Sequence, residues 1–393
     1  MRKNTTPDAR SGKTPPLGGA ADRRPPRRVK HWRRHAMLGL GLAGVGAAAL
    51  FAIRTGVAGF DGWGLSSRPY RGPVTDHFDG QRFHSVPPTP RTSFFDVLRW
   101  QRGRPADDWR EEAADPTGAQ PARRVDGAAL TVTLVNHATL LIQHRGLNIL
   151  TDPIYSAHAG PFGRFGPRRY TPPGIAFDAL PPIDAILISH NHYDHLDAGT
   201  LSDLARRFPS ARVFTGLGNG HQLRHAGFRD MVELDWWQAA PLSAGVAVQA
   251  VPARHWSERM PWNVNATLVA GFVLTSPDGS VYFAGDTAAG GHFAEIAARL
   301  GPIRFAALPI GAYAPRWFMQ RSHMSPAEAV QAALALDARQ SMAIHFGTFR
   351  LSDEAQHAPE AALADALRRT GFDAERFVAL RPGGRLAVPP LPS

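Results

Sequence analysis

Ser189-His190-Asn191-His192-Tyr193-Asp194-His195-Leu196-Asp197 packs three imidazoles and a carboxylate into six residues, directly after the apolar run Ala185-Ile186-Leu187-Ile188. Imidazole nitrogen and carboxylate oxygen are preferred ligands of zinc and related divalent ions. The chain has no cysteine, so thiolate-rich metal sites and disulfides are excluded and the redox compartment is left open. At the end of a strand, alternating His190 and His192 point their rings to different sides of a turning loop. Asp194 and His195 can then reach a second ion.

One loop cannot supply two ions, so further ligands should sit at other strand ends. Val246-Ala247-Val248-Gln249-Ala250-Val251 is followed by Pro252-Ala253-Arg254-His255. Ser280-Val281-Tyr282-Phe283-Ala284 ends in Gly285-Asp286-Thr287, and Ser341-Met342-Ala343-Ile344 ends in His345-Phe346-Gly347. Short apolar runs closed by Gly, Pro or polar residues predict strands buried between helices. The repeated placement of a His or Asp after such a run makes His255, Asp286 and His345 candidate metal ligands.

Together with Asp76-His77-Phe78-Asp79-Gly80, Asn136-His137-Ala138-Thr139, Thr151-Asp152-Pro153, Pro309-Ile310-Gly311-Ala312-Tyr313 through Met319, and Met342 through Thr348, these residues resemble the metallo-β-lactamase-fold hydrolases. Within them the resemblance is to the branch of phospholipase D enzymes that hydrolyse N-acylphosphatidylethanolamine. It runs from about Pro73 to Arg381. It implies an α/β fold, the αββα metallo-β-lactamase sandwich, with a dizinc site along one edge. His190, His192 and His255 would hold one ion; Asp194, His195 and His345 would hold the other; Asp286 would bridge both. The amino end departs from the enzyme that gives the branch its name.

The net charge of +11 is not spread over the chain. Residues 1–35 carry 11 Lys or Arg against 2 Asp, and the rest is nearly balanced, with 33 Lys or Arg against 31 Asp or Glu. The basic excess is a tail that could bind nucleic acid or anionic lipid, and the apolar run that follows it decides for the membrane, so no nucleic-acid partner is expected. Ala36 to Ile53 is an uncharged apolar run of 18 residues. As a helix it would be about 27 Å long, enough to span a bilayer core. The arginines before it predict a single-pass inner-membrane anchor with the catalytic domain on the non-cytoplasmic, periplasmic side. A cleaved signal is the alternative, with Ala47-Ala48-Ala49 or Val57-Ala58-Gly59 as small-residue sites and Arg33-Arg34 as a twin-arginine pair, giving an exported soluble form. Gly39-x-Gly41-x-x-Gly44 lacks the strand, helix and acidic partner of a dinucleotide fingerprint.

The expected organisation is a basic disordered tail (1–35), an anchor or signal segment (36–53), a linker and irregular lead-in (54–126) and the hydrolase domain (127–393). Within the lead-in, Pro87-Pro88-Thr89-Pro90-Arg91 reads as a stiff extended piece and Phe94 to Trp100 as a short helix. Strands are expected at Leu130 to Val135, Leu140 to Ile142 and Asn148 to Leu150. Helices are expected at Gly199 to Phe208, Gly290 to Leu300, Pro326 to Leu336 and Pro359 to Thr370. Ser325-Pro326-Ala327-Glu328 has the order of a capped helix start.

Two divalent ions acidify water between them and polarise the electrophile, which suits hydrolysis of a phosphodiester, lactone or thioester. Zinc is the expected metal; iron and manganese share its ligands. Asp286, Asp194 and His323 are the catalytic candidates, and Asp152 and Asp197 are candidates to orient ligand imidazoles. Tyr193 in the ligand loop, and Arg316, Trp317 and Phe318 in an aromatic loop, are candidate substrate contacts. Three aromatics, a methionine and an arginine there suit an amphiphile with acyl chains and a phosphate. The expected function is a dizinc phosphodiesterase of phospholipase D type acting on N-acylphosphatidylethanolamine-like phospholipids at a membrane. The alternatives are a hydrolase of a small water-soluble lactone or ester and a non-enzymatic metal-stabilised membrane binding module.

Overall fold

The computed structural model describes residues 70–89, 93–243 and 245–392. The tail, the apolar run 36–53, and Pro90 and Arg91 of the stiff piece lie outside the described residues. Among the described residues no helix is long and apolar enough to cross a membrane.

Among the described residues fourteen strands form two seven-stranded sheets. The first contains β1 (Leu130–Asn136), β2 (Thr139–His144), β3 (Leu147–Thr151), β4 (Ala185–Ile188), β5 (Arg212–Gly216), β6 (Met231–Leu234) and β14 (Arg385–Ala387), in the order β14-β1-β2-β3-β4-β5-β6. The second contains β7 (Ala239–Ser243), β8 (Val246–Pro252), β9 (Ala270–Thr275), β10 (Ser280–Phe283), β11 (Ile303–Pro309), β12 (Gln340–Ile344) and β13 (Phe377–Val378), in the order β13-β12-β11-β10-β9-β8-β7.

Alternation along the strands explains the layering. Leu140 and Ile142 of β2, Phe272 and Leu274 of β9, and Phe283 of β10 meet in one core between the sheets. The intervening residues face outward: Leu141 packs with Leu201 and Leu204 of α2 (Ala198–Arg207), and Val273 and Tyr282 pack with Phe293 and Ile296 of α4 (His292–Leu300). The remaining helices among the described residues are α1 (Phe94–Gly103), α3 (Gly220–Ala226), α5 (Arg316–Met319), α6 (Pro326–Leu336) and α7 (Ala358–Thr370). Both faces of each sheet are covered, so central strands read as unbroken apolar runs. The result is the αββα sandwich expected from the resemblance.

The expected cap of α6 is present: Ser325 accepts from the Glu328 backbone N–H while the Glu328 carboxylate accepts from Ser325 N at 2.7 Å. The lead-in is irregular but is more than a linker. Phe78 and Phe83 are buried beside Leu268, and Trp109 donates to the Glu354 carbonyl at 3.2 Å. These aromatics lie in polar surroundings without periodicity, so only the tertiary structure reveals that they are core.

Strands β3–β4–β5–β6 and β10–β11–β12–β13 are parallel. The loops leaving the carboxyl ends of β4, β10 and β12 meet at one edge, the usual place for a site in such sheets. Two glycines allow the approach. A Cβ on Gly285, whose φ is +58°, would stand 2.5 Å from Ser189 Cβ, and one on Gly311 would stand 1.9 Å from the His345 carbonyl oxygen. Any larger residue at either position would push the ligand-bearing loops apart.

Candidate metal centre

Each candidate ligand is delivered by a strand end. β4 runs into the 189–197 loop, β8 leads to His255, β10 to Asp286 and β12 to His345. His345 has φ +63°, and its backbone N–H donates to the His137 carbonyl at 2.9 Å.

The donor atoms fall into two neighbouring sets. In one, His190 Nε2 lies 2.8 Å from His192 Nδ1, which lies 3.2 Å from His255 Nε2. In the other, His195 Nε2 lies 3.4 Å from Asp194 Oδ2 and 3.3 Å from Asp286 Oδ2. His345 Nε2 lies 3.3 Å from Asp194 Oδ2 and 3.0 Å from Asp286 Oδ2. Donors bound about 2.0–2.2 Å from one tetrahedral ion stand about 3.3–3.6 Å apart, so this set has the spacing of a ligand cage. Asp286 Oδ2 also lies 3.7 Å from His255 Nε2, which places this carboxylate between the sets.

Buried polar atoms point to the same conclusion. His195 Nε2, Asp286 Oδ1 and His323 Nδ1 are buried without a hydrogen-bond partner. Such atoms are costly unless something satisfies them, and a cation satisfies the first two. The residues therefore fit one or more divalent ions.

Burial, reinforced by neighbouring imidazoles, holds His190 and His323 well below the ordinary histidine range, His192 at about 3 and His255 at about 4. These rings are neutral, as metal ligands must be. Burial works the same way on His195 and His345, but the carboxylates reverse it. Asp286, Asp194 and Asp152 raise His195 well above its usual value, and Asp286 and Asp194 bring His345 up to about 9. Although burial favours their neutral forms, Asp194 and Asp286 are held well below the usual carboxylate range by the imidazoles around them. Wherever a cation is not bound, protons on His195 and His345 balance these carboxylates.

Supporting contacts orient the rings. His195 Nδ1 is 2.6 Å from Asp152 Oδ2, and Asp152 also accepts from the Ser189 backbone N–H at 2.7 Å. His255 Nδ1 donates to the Ser322 carbonyl at 2.9 Å. Asp152 thus has the expected orienting position. Asp197 does not: its carboxylate accepts from Thr200 Oγ1 at 2.5 Å and Ser156 N at 3.1 Å, so it fastens the start of α2 rather than an imidazole.

His190, His192, Asp194, His195, His255, Asp286 and His345 all come together, and His323 joins them with Nδ1 3.9 Å from Asp286 Oδ2. The substrate candidates do not converge on the cluster in the same way. Arg316 is engaged elsewhere, donating to both Glu328 oxygens at 2.8 and 3.0 Å and to the His323 carbonyl at 3.0 Å, so it braces the His323 segment. Phe318 stacks on Trp100 of α1 at 4.9 Å, whereas Trp317 is 37% exposed beneath Arg99. The Tyr193 hydroxyl donates to the Arg259 carbonyl at 2.9 Å, and its ring lies under the Arg259 guanidinium. Two further residues stand at the cluster: Trp256, which the sequence did not single out, and His137, which it gave only within the Asn136–Thr139 motif. Trp256 packs its ring 4.7 Å from His192 and 4.3 Å from His255, and His137 Nε2 lies 3.1 Å from Asp194 Oδ2. Trp256 directly follows the candidate His255, and that adjacency was its only signal.

Residues 147–346, the span from β3 to just past β12, match the family described as a beta-lactamase superfamily domain. This chain belongs to the metallo-β-lactamase superfamily. An uncharacterized protein of Mycobacterium tuberculosis is 39% identical over 261 residues, covering 65% of this chain and 67% of that one. The N-acyl-phosphatidylethanolamine-hydrolyzing phospholipase D 1 of Caenorhabditis elegans is 34% identical over 231 residues, covering 56% of this chain and 65% of the worm protein. The chain thus matches slightly less than two thirds of the worm enzyme's length. An isothiocyanate hydrolase from Delia radicum gut bacteria shares the fold, with a TM-score of 0.53 at 18% identity over 66% of this chain and 99% of that one. A metal-dependent hydrolase of this superfamily is what the family and the cluster together support.

Proposed function

We propose that the protein is a phosphodiesterase of phospholipase D type that hydrolyses N-acylphosphatidylethanolamine-like phospholipids with two divalent ions, zinc in the first instance. The observation that carries this reading is the convergence of His190, His192 and His255 beside Asp194, His195 and His345, with Asp286 between them. The similarity to the worm enzyme supports the choice of substrate. Bound ions would supply Lewis acidity and an acidified water. Asp152 and the Ser322 carbonyl orient the His195 and His255 rings, and His323 is placed to hold or move a proton beside Asp286. Trp256 lines the His192 and His255 side and excludes water there. Exposed Trp317 is an aromatic available to an acyl chain.

The proposal extends to location. Residues 36–53 form the anchor of a single-pass inner-membrane protein with the hydrolase domain on the periplasmic side, which concentrates the enzyme at its lipid substrate. A carboxyl-terminal reporter active only outside the cytoplasm should be active; activity confined to a cytoplasmic reporter would defeat this placement. For the activity, the purified chain should be offered a phospholipid panel beside a lactone panel. Release of the head-group alcohol from N-acylphosphatidylethanolamine is expected, and preferential lactone turnover would overturn the assignment.

A further inference from the structure

We propose that His137 is a positioning residue of the metal centre, donating its Nε2–H to Asp194 Oδ2 so that the carboxylate keeps its other lone pairs for an ion. This rests on the metal-centre reading above and adds a residue to it.

His137 occupies the turn between β1 and β2 in a left-handed conformation, φ +46°, which a non-glycine residue adopts only when its surroundings impose it. Three contacts impose it here. Its backbone N–H donates to Thr348 Oγ1 at 3.0 Å, its carbonyl accepts from the His345 N–H at 2.9 Å, and its ring is wedged 4.2 Å from His345 and 5.3 Å, edge-on, from Phe349. The side chain is 1% exposed, so the ring has one orientation. In that orientation Nε2 faces Asp194 Oδ2 at 3.1 Å.

The tautomer follows from the ring's other nitrogen. Nδ1 is buried with no hydrogen-bond partner. A proton on Nδ1 would leave an orphaned N–H there and set the Nε2 lone pair against a carboxylate oxygen. A proton on Nε2 removes both penalties and makes a hydrogen bond to a charged acceptor, the stronger kind. With that proton in place Nε2 has no lone pair for a metal. His137 also differs from the ligand candidates in its contacts: His195 and His345 each touch both Asp194 and Asp286, whereas His137 touches Asp194. It borders the second donor set, within 4.8 Å of donor atoms of Asp194, His195 and His345, and meets it through Asp194.

The test uses the full chain, stripped of metal and titrated with Zn2+ against a chromophoric chelator. His137→Ala should weaken the binding step that depends on Asp194 by about 10–100-fold, the usual effect of losing a contact that orients a ligand, and leave the other step within about threefold. His137→Gln, whose side-chain amide can still donate, should recover most of that loss. In the zinc-loaded wild-type protein, nitrogen-15 spectra of labelled histidine should show a proton on His137 Nε2, assigned through its proximity to Phe349 and so independent of any variant's folding. Absence of that proton, a Gln variant no better than Ala, or an Ala variant binding both ions as wild type does would each overturn the proposal. A wild-type chain that binds no Zn2+ would instead overturn the metal-centre reading.

Discussion

Asp286→Asn changes almost no volume but removes a carboxylate that lies between the two donor sets. Asp286 Oδ2 lies 3.0 Å from His345 Nε2, 3.3 Å from His195 Nε2 and 3.7 Å from His255 Nε2, and the residue is 1% exposed, so water cannot replace it. At an effective dielectric near 20, a unit charge 4 Å from another contributes about 4 kcal/mol, equivalent to about a thousandfold in affinity. The amide also presents an N–H2 that cannot coordinate. Metal content after dialysis against a fixed zinc buffer, measured by elemental analysis, should therefore fall below that of the wild type. Hydrolysis should fall by several orders of magnitude, since both nucleophile activation and stabilisation of developing charge use the ions. His323→Ala is the control: with Nδ1 3.9 Å from Asp286 Oδ2, His323 is the outermost ring of its group, and the variant should retain its metal whatever happens to the rate. An Asp286→Asn protein with wild-type metal content and activity would refute the placement of Asp286 between the two sets.

Phe318→Ala should lower stability by about 0.5–1.5 kcal/mol through loss of its stacked pair with Trp100, which a fall of a few degrees in Tm would report. Trp317→Ala, in contrast, should leave Tm nearly unchanged and slow long-chain lipids more than a short-chain analogue; equal losses on both would remove Trp317 from the acyl contact. Stability of the metal-stripped protein should be greatest near pH 6.5. Below that, unfolding exposes rings that take up protons which His192, at about 3, and His255, at about 4, refuse in the fold, so stability is lost as pH falls. Above it, His345 holds a proton in the fold up to about 9 that the unfolded chain releases, so its contribution is lost as pH rises. A melting temperature that rises steadily from pH 5 to 9 would contradict this balance.

The legible parts of the sequence were those where one period and one chemistry coincide. β4 ends at Ile188 and α6 spans Pro326–Leu336, as their apolar run and capping residues require. His255, Asp286 and His345 were legible because each directly follows such a run. β9 and β11 were equally apolar but carry no ligand at their ends, and β7, Ala239–Ser243, has no strand signal because its pairing with β8 supplies the order. His137 was quoted only within the Asn136–Thr139 motif, with no role, because its contact with Asp194 depends on a turn whose left-handed backbone is imposed by Thr348 and His345. Arg316 beside three aromatics suited a phosphate contact, yet Glu328, which also caps α6, takes its guanidinium. Such competition between partners is a tertiary property.

We propose that the His and Asp cluster makes this chain a metal-dependent lipid phosphodiesterase. The most direct test is to strip the purified protein of metal and titrate Zn2+ back in the presence of N-acylphosphatidylethanolamine vesicles, following bound metal and released N-acylethanolamine in the same sample. The stripped chain should be inactive and should regain activity in step with metal bound. Hydrolysis that persists without metal, or a fully metallated chain that leaves the lipid intact, would contradict the account.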